Sequence, residues 1–248
     1  VALYDATGKR WAMTERGRRA LRRTSRELAI GPSALRWDDG VLTITINEIT
    51  APLPSRIRGT IRLRPRFINR RAFGLDAAGR HLWRPIAPRA DVEVALTSPD
   101  CAWRGEGYFD ANAGDEPLEK GFDAWDWSRA HLPQDTLLFY DVERRGGERA
   151  DLALRFGPDG GLTQIVAPPP APLRRTLWGV PRTTRGEIGA APQLRRTLED
   201  TPFYSRSMLD GRYDGQSAQI MHESLSGRRL RSPIVKAMLP FKMPRALF

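Results

Sequence analysis

The amino-acid sequence predicts an all-β protein arranged as a sandwich or barrel. Three observations carry this: short runs of alternating polar and apolar residues dominate, turn signals separate them, and 22 Gly with 20 Pro punctuate the 248 residues. Residues 40–49 are the plainest run. Leu42, Ile44 and Ile46 fall on one face and Val41, Thr43, Thr45 and Asn47 on the other, the period of a strand. The same reading covers 57–63, 92–96, 136–143, 150–156 and 162–166. Between these runs stand Asp38-Asp39-Gly40, Ala78-Gly79, Arg145-Gly146-Gly147 and Pro158-Asp159-Gly160-Gly161, residues that enter turns at little steric cost. The strands on either side of Gly146-Gly147 read as a hairpin. Residues 14–26 are polar and Arg-rich, with Gly17 in their middle, and read as strand and loop. Near the C-terminus, Ser232-Pro233 starts a short helix through Met238, with Pro at the first helical position. Ala167-Pro168-Pro169-Pro170-Ala171-Pro172 reads as a stiff polyproline-like link between strands.

Composition narrows the classes of function. Hydrophobic residues make up 40% and charged residues 28%, ordinary for a folded chain, and no apolar run approaches the ~18 residues of a membrane-spanning helix. The formal charge is +11, carried by 36 Arg and only 4 Lys. That skew suits GC-rich coding better than phosphate binding, and the aromatics do not interleave with the basic runs, so nucleic acid is not expected as a partner. Cys101 is the only cysteine, which permits neither an internal disulfide nor a cysteine metal cluster and suits a reducing compartment. The opening Val1-Ala2-Leu3-Tyr4 reads as strand interior and lacks an initiator Met, so preceding residues are expected and a leader there stays open. No metal site is expected, because no element carries closely spaced ligand pairs. Dinucleotide, Walker and nucleophile-elbow motifs are absent too.

Candidate chemistry concentrates in 105–119 and 125–131. Tyr108 and Asp110 sit two apart and share a strand face, so a carboxylic acid lies beside a phenol; an apolar wall there favours the protonated acid. The plainer reading is that Asp110 and Asn112 cap a turn ending at Gly114. His81 and Trp83 again share a face after the Asp76–Gly79 turn, and an aromatic face stabilises a cation; as plain structure they are a core Trp beside a partly exposed His. Trp125, Trp127 and Arg129 form another same-face series, read first as core. The tail from Arg228 mixes Ile, Leu, Met and Phe with six basic residues and no acid. It suits either an interfacial segment on an anionic membrane or a tail packed on its own domain.

Residues 107–119, Gly-Tyr-Phe-Asp-Ala-Asn-Ala-Gly-Asp-Glu-Pro-Leu-Glu, resemble the carotenoid 1,2-hydratase, or hydroxyneurosporene synthase, family. Five further blocks support the likeness across nearly the whole chain: Trp11–Arg18, Ala51–Gly59, Trp125–His131, Leu198–Arg206 and His222–Ser226. The resemblance implies a lipocalin-like all-β fold in two consecutive barrel or sandwich halves, divided here as 1–118 and 119–248. It implies addition of water to the terminal double bond of an acyclic carotenoid such as neurosporene or lycopene, without a cofactor. Asp110 is then the proton donor, with Tyr108, His81 and Trp83 shaping the site. Trp125, Trp127, Arg129, Asn112 and Phe109 are the expected substrate-binding residues. The expected location is peripheral, on the cytoplasmic side of a bacterial inner membrane. A pericyclase or a non-catalytic lipid or carotenoid carrier on the same scaffold is the alternative. Ala113 departs from the pattern, which carries a bulky aromatic between Asn112 and Gly114.

Overall fold

The computed structural model describes residues 1–5 and 8–246. Antiparallel strands make up most of it, and the architecture is lipocalin-like. The first half of the chain contributes β1 (Ala2–Tyr4), β2 (Lys9–Trp11), β3 (Leu21–Arg23), β4 (Glu27–Ile30), β5 (Ser33–Asp38) and β6 (Val41–Ile49). It continues with β7 (Arg56–Pro65), β8 (Phe73–Gly74), β9 (His81–Ser98) and β10 (Asp100–Gly114). After the short helix α1 (Leu118–Gly121) come β11 (Phe122–His131), β12 (Thr136–Arg144), β13 (Arg149–Phe156) and β14 (Leu162–Gln164). The remaining strands are β15 (Pro170–Leu173), β16 (Arg182–Arg185), β17 (Gln193–Asp200), β18 (Tyr204–Tyr213) and β19 (Gln216–Ser226). Helices α2 (Gly227–Leu230) and α3 (Pro233–Lys242) follow.

Two large sheets result. One is ordered β10-β9-β7-β6-β5-β4-β3 with β8 added on β9; the other is ordered β14-β13-β12-β11-β19-β18-β17. Among the described residues neither order returns on itself, so both sheets are open. The expected 118/119 boundary falls within α1, between the last strand of one sheet and the first of the other. By packing the chain divides differently. One compact unit is built from 1–66, 89–108 and the residues from 237, the other from 67–88 and 109–236. The β9–β10 hairpin therefore contributes its turn end to the first unit and its open end to the second.

The first unit follows the alternation read from the sequence. Leu42 and Ile46 are buried and Ile44 packs on a core of Ala12, Ile46, Ile57, Val94 and Leu96. Glu48 continues the inward face, where Arg16 donates to it at 2.7 Å and Ser33 at 2.5 Å, so the buried carboxylate is paired. In the second unit the hairpin β12–β13 forms as expected, with Leu137, Phe139 and Ala153 in a core with Ala130, Leu209, Tyr213 and Ile220. The expected polyproline link is partly wrong. Pro170–Leu173 is a strand paired with β16, because Ala171 and Leu173 retain the donors that proline lacks and a two-stranded ribbon leaves the proline nitrogens on an edge. The short helix expected from Ser232-Pro233 does form, and runs on to Lys242. Among the described residues no helix is long and apolar enough to cross a membrane.

Candidate active site

Two elements of the second unit bring the candidate residues together. At the open end of the hairpin, His81 and Trp83 alternate inward on β9 with Leu82 and Arg84 outward, and Asp110 lies on β10. Strands β11, β12, β19 and β18 supply an aromatic face: Trp125 and Trp127 two apart on β11, Tyr140 opposite Trp127, and Tyr204 opposite Leu225. The turn reading of Asp110 and Asn112 does not hold, since strand β10 runs through both to Gly114.

Trp83 is 1% exposed, and its indole Nε1 donates to Asp110 Oδ2 at 2.9 Å. Rings pack around this pair. The Trp83 centroid is 5.2 Å from Tyr140 in a T-shaped contact and 5.9 Å from Phe73. Tyr140 meets Trp125 at 5.7 Å, and Trp125 meets Tyr204 at 6.4 Å, both edge-to-face. Such contacts hold each ring in one orientation and add to the energy of burial. Burial drives the Tyr140 hydroxyl well above its usual range, helped by the negative charges of Asp110 and Glu223. The phenol is therefore a neutral donor at any working pH. Glu223 itself is paired with Arg206 at 2.8 Å.

His81 is fixed by close packing. Its backbone N–H donates to Asp76 Oδ2 at 2.8 Å, its ring stands edge-on to Phe122 at 4.7 Å, and Nε2 lies 3.4 Å from Glu116 Oε1. Two glycines make the slot: a Cβ on Gly114 would come within 2.9 Å of Nδ1, and one on Gly121 within 2.6 Å of Nε2. Glu116 also takes Arg80 at 3.5 Å. Beside the imidazole is a cavity of about 300 Å³. Its walls are largely Leu75, Leu82, Leu118, Trp125 and Tyr140, with His81, Glu116 and Asn112 as the polar groups. Ala113 is also in the wall, so a bulky aromatic at this position would take up part of that volume.

The other expected residues are placed as follows. Tyr108 stands half-buried two residues before Asp110 on β10. Alternation turns Phe109 to the opposite face from Asp110. Trp127 is buried and Arg129 half-buried along the Trp125 face of β11. Tyr140 and Glu116 were not singled out by the sequence. Tyr140 is one more apolar-face position of a hairpin strand, and Glu116 lies within residues 107–119 with no local pattern that marks it.

The opposite face of the same sheet is polar beside the Ala130, Leu137, Phe139 and Ile220 core that occupies the rest of it. Cross-strand register aligns Asp141, Asp126, Ser224 and Ser205, and beside them Ser128, His222 and Ser207. Ser224 donates to Asp126, as does the Thr183 backbone N–H at 3.2 Å, while Arg185 pairs with Asp141. His222 is fully buried and its Nε2 is 3.0 Å from the Thr183 carbonyl, so Nε2 carries the proton and Nδ1 is left without a partner. Burial lowers the His222 pKa to about 4 and raises that of Asp126 to about 7.

Comparison with known proteins places the chain. Residues 1–247 match the family model described as carotenoid hydratase CrtC. An acyclic carotenoid 1,2-hydratase of Thiocapsa roseopersicina is 53% identical over 99% of this chain and 61% of its own length. The protein of the same name from Rubrivivax gelatinosus is 45% identical with the same coverage, and that from Cereibacter sphaeroides 41% identical over 99% of this chain and 88% of its own. The chain thus spans about three-fifths of the first two relatives. Among solved structures, a putative AttH of Nitrosomonas europaea superposes with TM-score 0.58 at 15% identity, covering 84% of this chain and 72% of that one. CghA with Sch210972 superposes with TM-score 0.54 at 12% identity over 83% and 69%. These two likenesses concern the fold alone.

Proposed function

The chain belongs to the carotenoid hydratase CrtC family, and on that premise we propose that it adds water across the terminal C1=C2 bond of an acyclic carotenoid. The observation that carries the proposal is the Asp110–Trp83 pair set in an aromatic enclosure. An indole N–H is a donor only, so Oδ2 of Asp110 is an acceptor whether or not the acid is ionised. The indole therefore orients the carboxyl without competing for the acid's proton.

The chemistry follows from that placement. The π electrons of C1=C2 take the Asp110 proton onto C2, leaving an Asp110 carboxylate and a tertiary cation at C1. A water oxygen bonds to C1, and its surplus proton returns to the carboxylate. One water is added and the acid is regenerated, so an acid, electron-rich walls and an admitted water suffice without a cofactor. His81, clamped by Gly114 and Gly121 and backed by Glu116, orients the water, and Tyr108 shapes the site from the same strand. Incubation with lycopene or neurosporene tests this reading. The expected product has gained the mass of one water; an isomer of unchanged mass, or a spectral shift without a product, would contradict it.

An acyclic carotenoid is itself a membrane solute, and we place the protein peripherally on the cytoplasmic side of a bacterial inner membrane. Helix α3 supports this: Ile234 (74% exposed), Met238 (37%) and Phe241 (73%) recur at helical spacing on one exposed stripe. The apolar stripe carries the attraction more than charge does. Lys236 is paired with Glu119, Arg231 with Asp123 and Arg245 with Glu15. Replacing Ile234, Met238 and Phe241 by Ser is expected to abolish co-sedimentation with lipid vesicles while leaving the unfolding midpoint in place; undiminished sedimentation would remove the membrane assignment.

A further inference from the structure

Three rings form a chain from Asp110, Trp83 to Tyr140 to Trp125, and they are not equivalent. Trp83 is 1% exposed, spends its indole N–H on Asp110 Oδ2 and, like Asp110, is not part of the cavity wall; Tyr140, which packs on Trp83 and is close enough to feel the Asp110 charge, links the pair to the cavity. Tyr140 and Trp125 both form that wall, together with the His81–Glu116 pair. Tyr140 bridges the two tryptophans, edge-to-face with each, at interplanar angles of 86° to Trp83 and 72° to Trp125. The volume of about 300 Å³ is at the bottom of the range for ligand sites, enough for the end of a chain and not for a long polyene. The walls that meet such an end are apolar except at His81, Glu116 and Asn112.

We propose that this cavity receives the branched end of the substrate, and that Tyr140 and Trp125, rather than Trp83, are the rings that face the developing cation. The inference rests on the hydratase reading above. Trp83 is then a positioning residue, which orients the Asp110 carboxyl through its indole N–H. Its buried ring face reaches substrate only through Tyr140. The division of labour has a physical logic. Trp83 is buried and packed by Phe73 and Tyr140, whereas Tyr140 and Trp125 are locked by each other and border open space. Ala113, in the same wall, then sets how much of the chain end is enclosed.

The experiment compares kcat and KM for lycopene hydration in the wild type, Tyr140→Leu, Tyr140→Phe, Trp125→Leu and Trp125→Phe, with thermal unfolding of each. Loss of one desolvated cation-facing ring corresponds to roughly ten- to thirty-fold. Tyr140→Leu and Trp125→Leu are each expected to lose about that much in kcat, with KM changed by much less, and the Phe variants to recover most of the loss. Wild-type kcat in both Leu variants, or a Tyr140→Phe variant that falls as far as Tyr140→Leu, would overturn the inference while the hydratase reading stands. If Tyr140→Leu fails to fold, the Trp125 pair decides. A wild type that binds lycopene without hydrating it would remove the hydratase reading, and this inference with it.

Discussion

Asp110→Asn is expected to fold as the wild type does and to lose hydration by at least the ~10²–10⁴-fold that a general acid contributes. The isostere keeps the site's shape. Its amide oxygen still accepts from Trp83 Nε1, so the 2.9 Å contact survives, and Asp110 is only half-buried, so no large packing term changes. What disappears is the transferable proton. The loss should fall on kcat, because in the proposed site the alkene end is held by the apolar cavity wall, to which Asp110 does not belong. A rate assay and an unfolding curve, run side by side, separate this from misfolding. Turnover within a few-fold of wild type would take the acid role away from Asp110.

The second large effect concerns stability and comes from the polar face of β11 and β19. His222 has a folded pKa of about 4 against an ordinary 6.5, because burial disfavours its charged form. In the window between those values the unfolded chain binds the proton and the folded chain does not. This group's stabilisation is thus complete above pH 6.5 and is lost as pH falls through 4. Asp126 acts in the opposite sense. Burial raises its pKa from 3.8 to about 7, so its stabilisation is complete below 3.8 and is lost as pH rises through 7. Between pH 4 and 6.5 the two slopes, each about 1.4 kcal/mol per pH unit, oppose each other.

Single substitutions unmask each half. Asp126→Asn keeps an oxygen to accept from Ser224 and Thr183, and leaves His222 uncompensated. Relative to wild type, this variant should lose about 3 kcal/mol as pH falls from 6.5 to 4. His222→Gln keeps a donor for the Thr183 carbonyl and should lose stability relative to wild type as pH rises over the same range. Denaturant unfolding at intervals of half a pH unit reads both. Two variants whose differences from wild type share one sign would refute the opposed pair.

How much of this was readable in advance depended on the range over which the information is carried. The β6 strand and the β12–β13 hairpin were legible because alternation and turn residues act over a few positions. Asp110 was ambiguous by spacing, since two residues on one strand face and two residues capping a turn look alike in sequence. The family block resolved it, and the unbroken run of β10 agrees. Pro170–Leu173 misled because proline content argues against a sheet interior but not against an edge ribbon. Tyr140 and the polar row were beyond local reading. Alternation says that Tyr140 and Leu138 share a face, not that the face meets Trp83; Ser224 reaches Asp126 across 98 residues of sequence.

Label placement tests the central claim most directly. Lycopene hydration in deuterium oxide enriched in heavy oxygen should give a product with one deuterium on C2 and the heavy oxygen on C1, formed by wild type and not by Asp110→Asn. A hydrated product without deuterium at C2, or one formed equally by Asp110→Asn, would contradict protonation by Asp110 followed by capture of water.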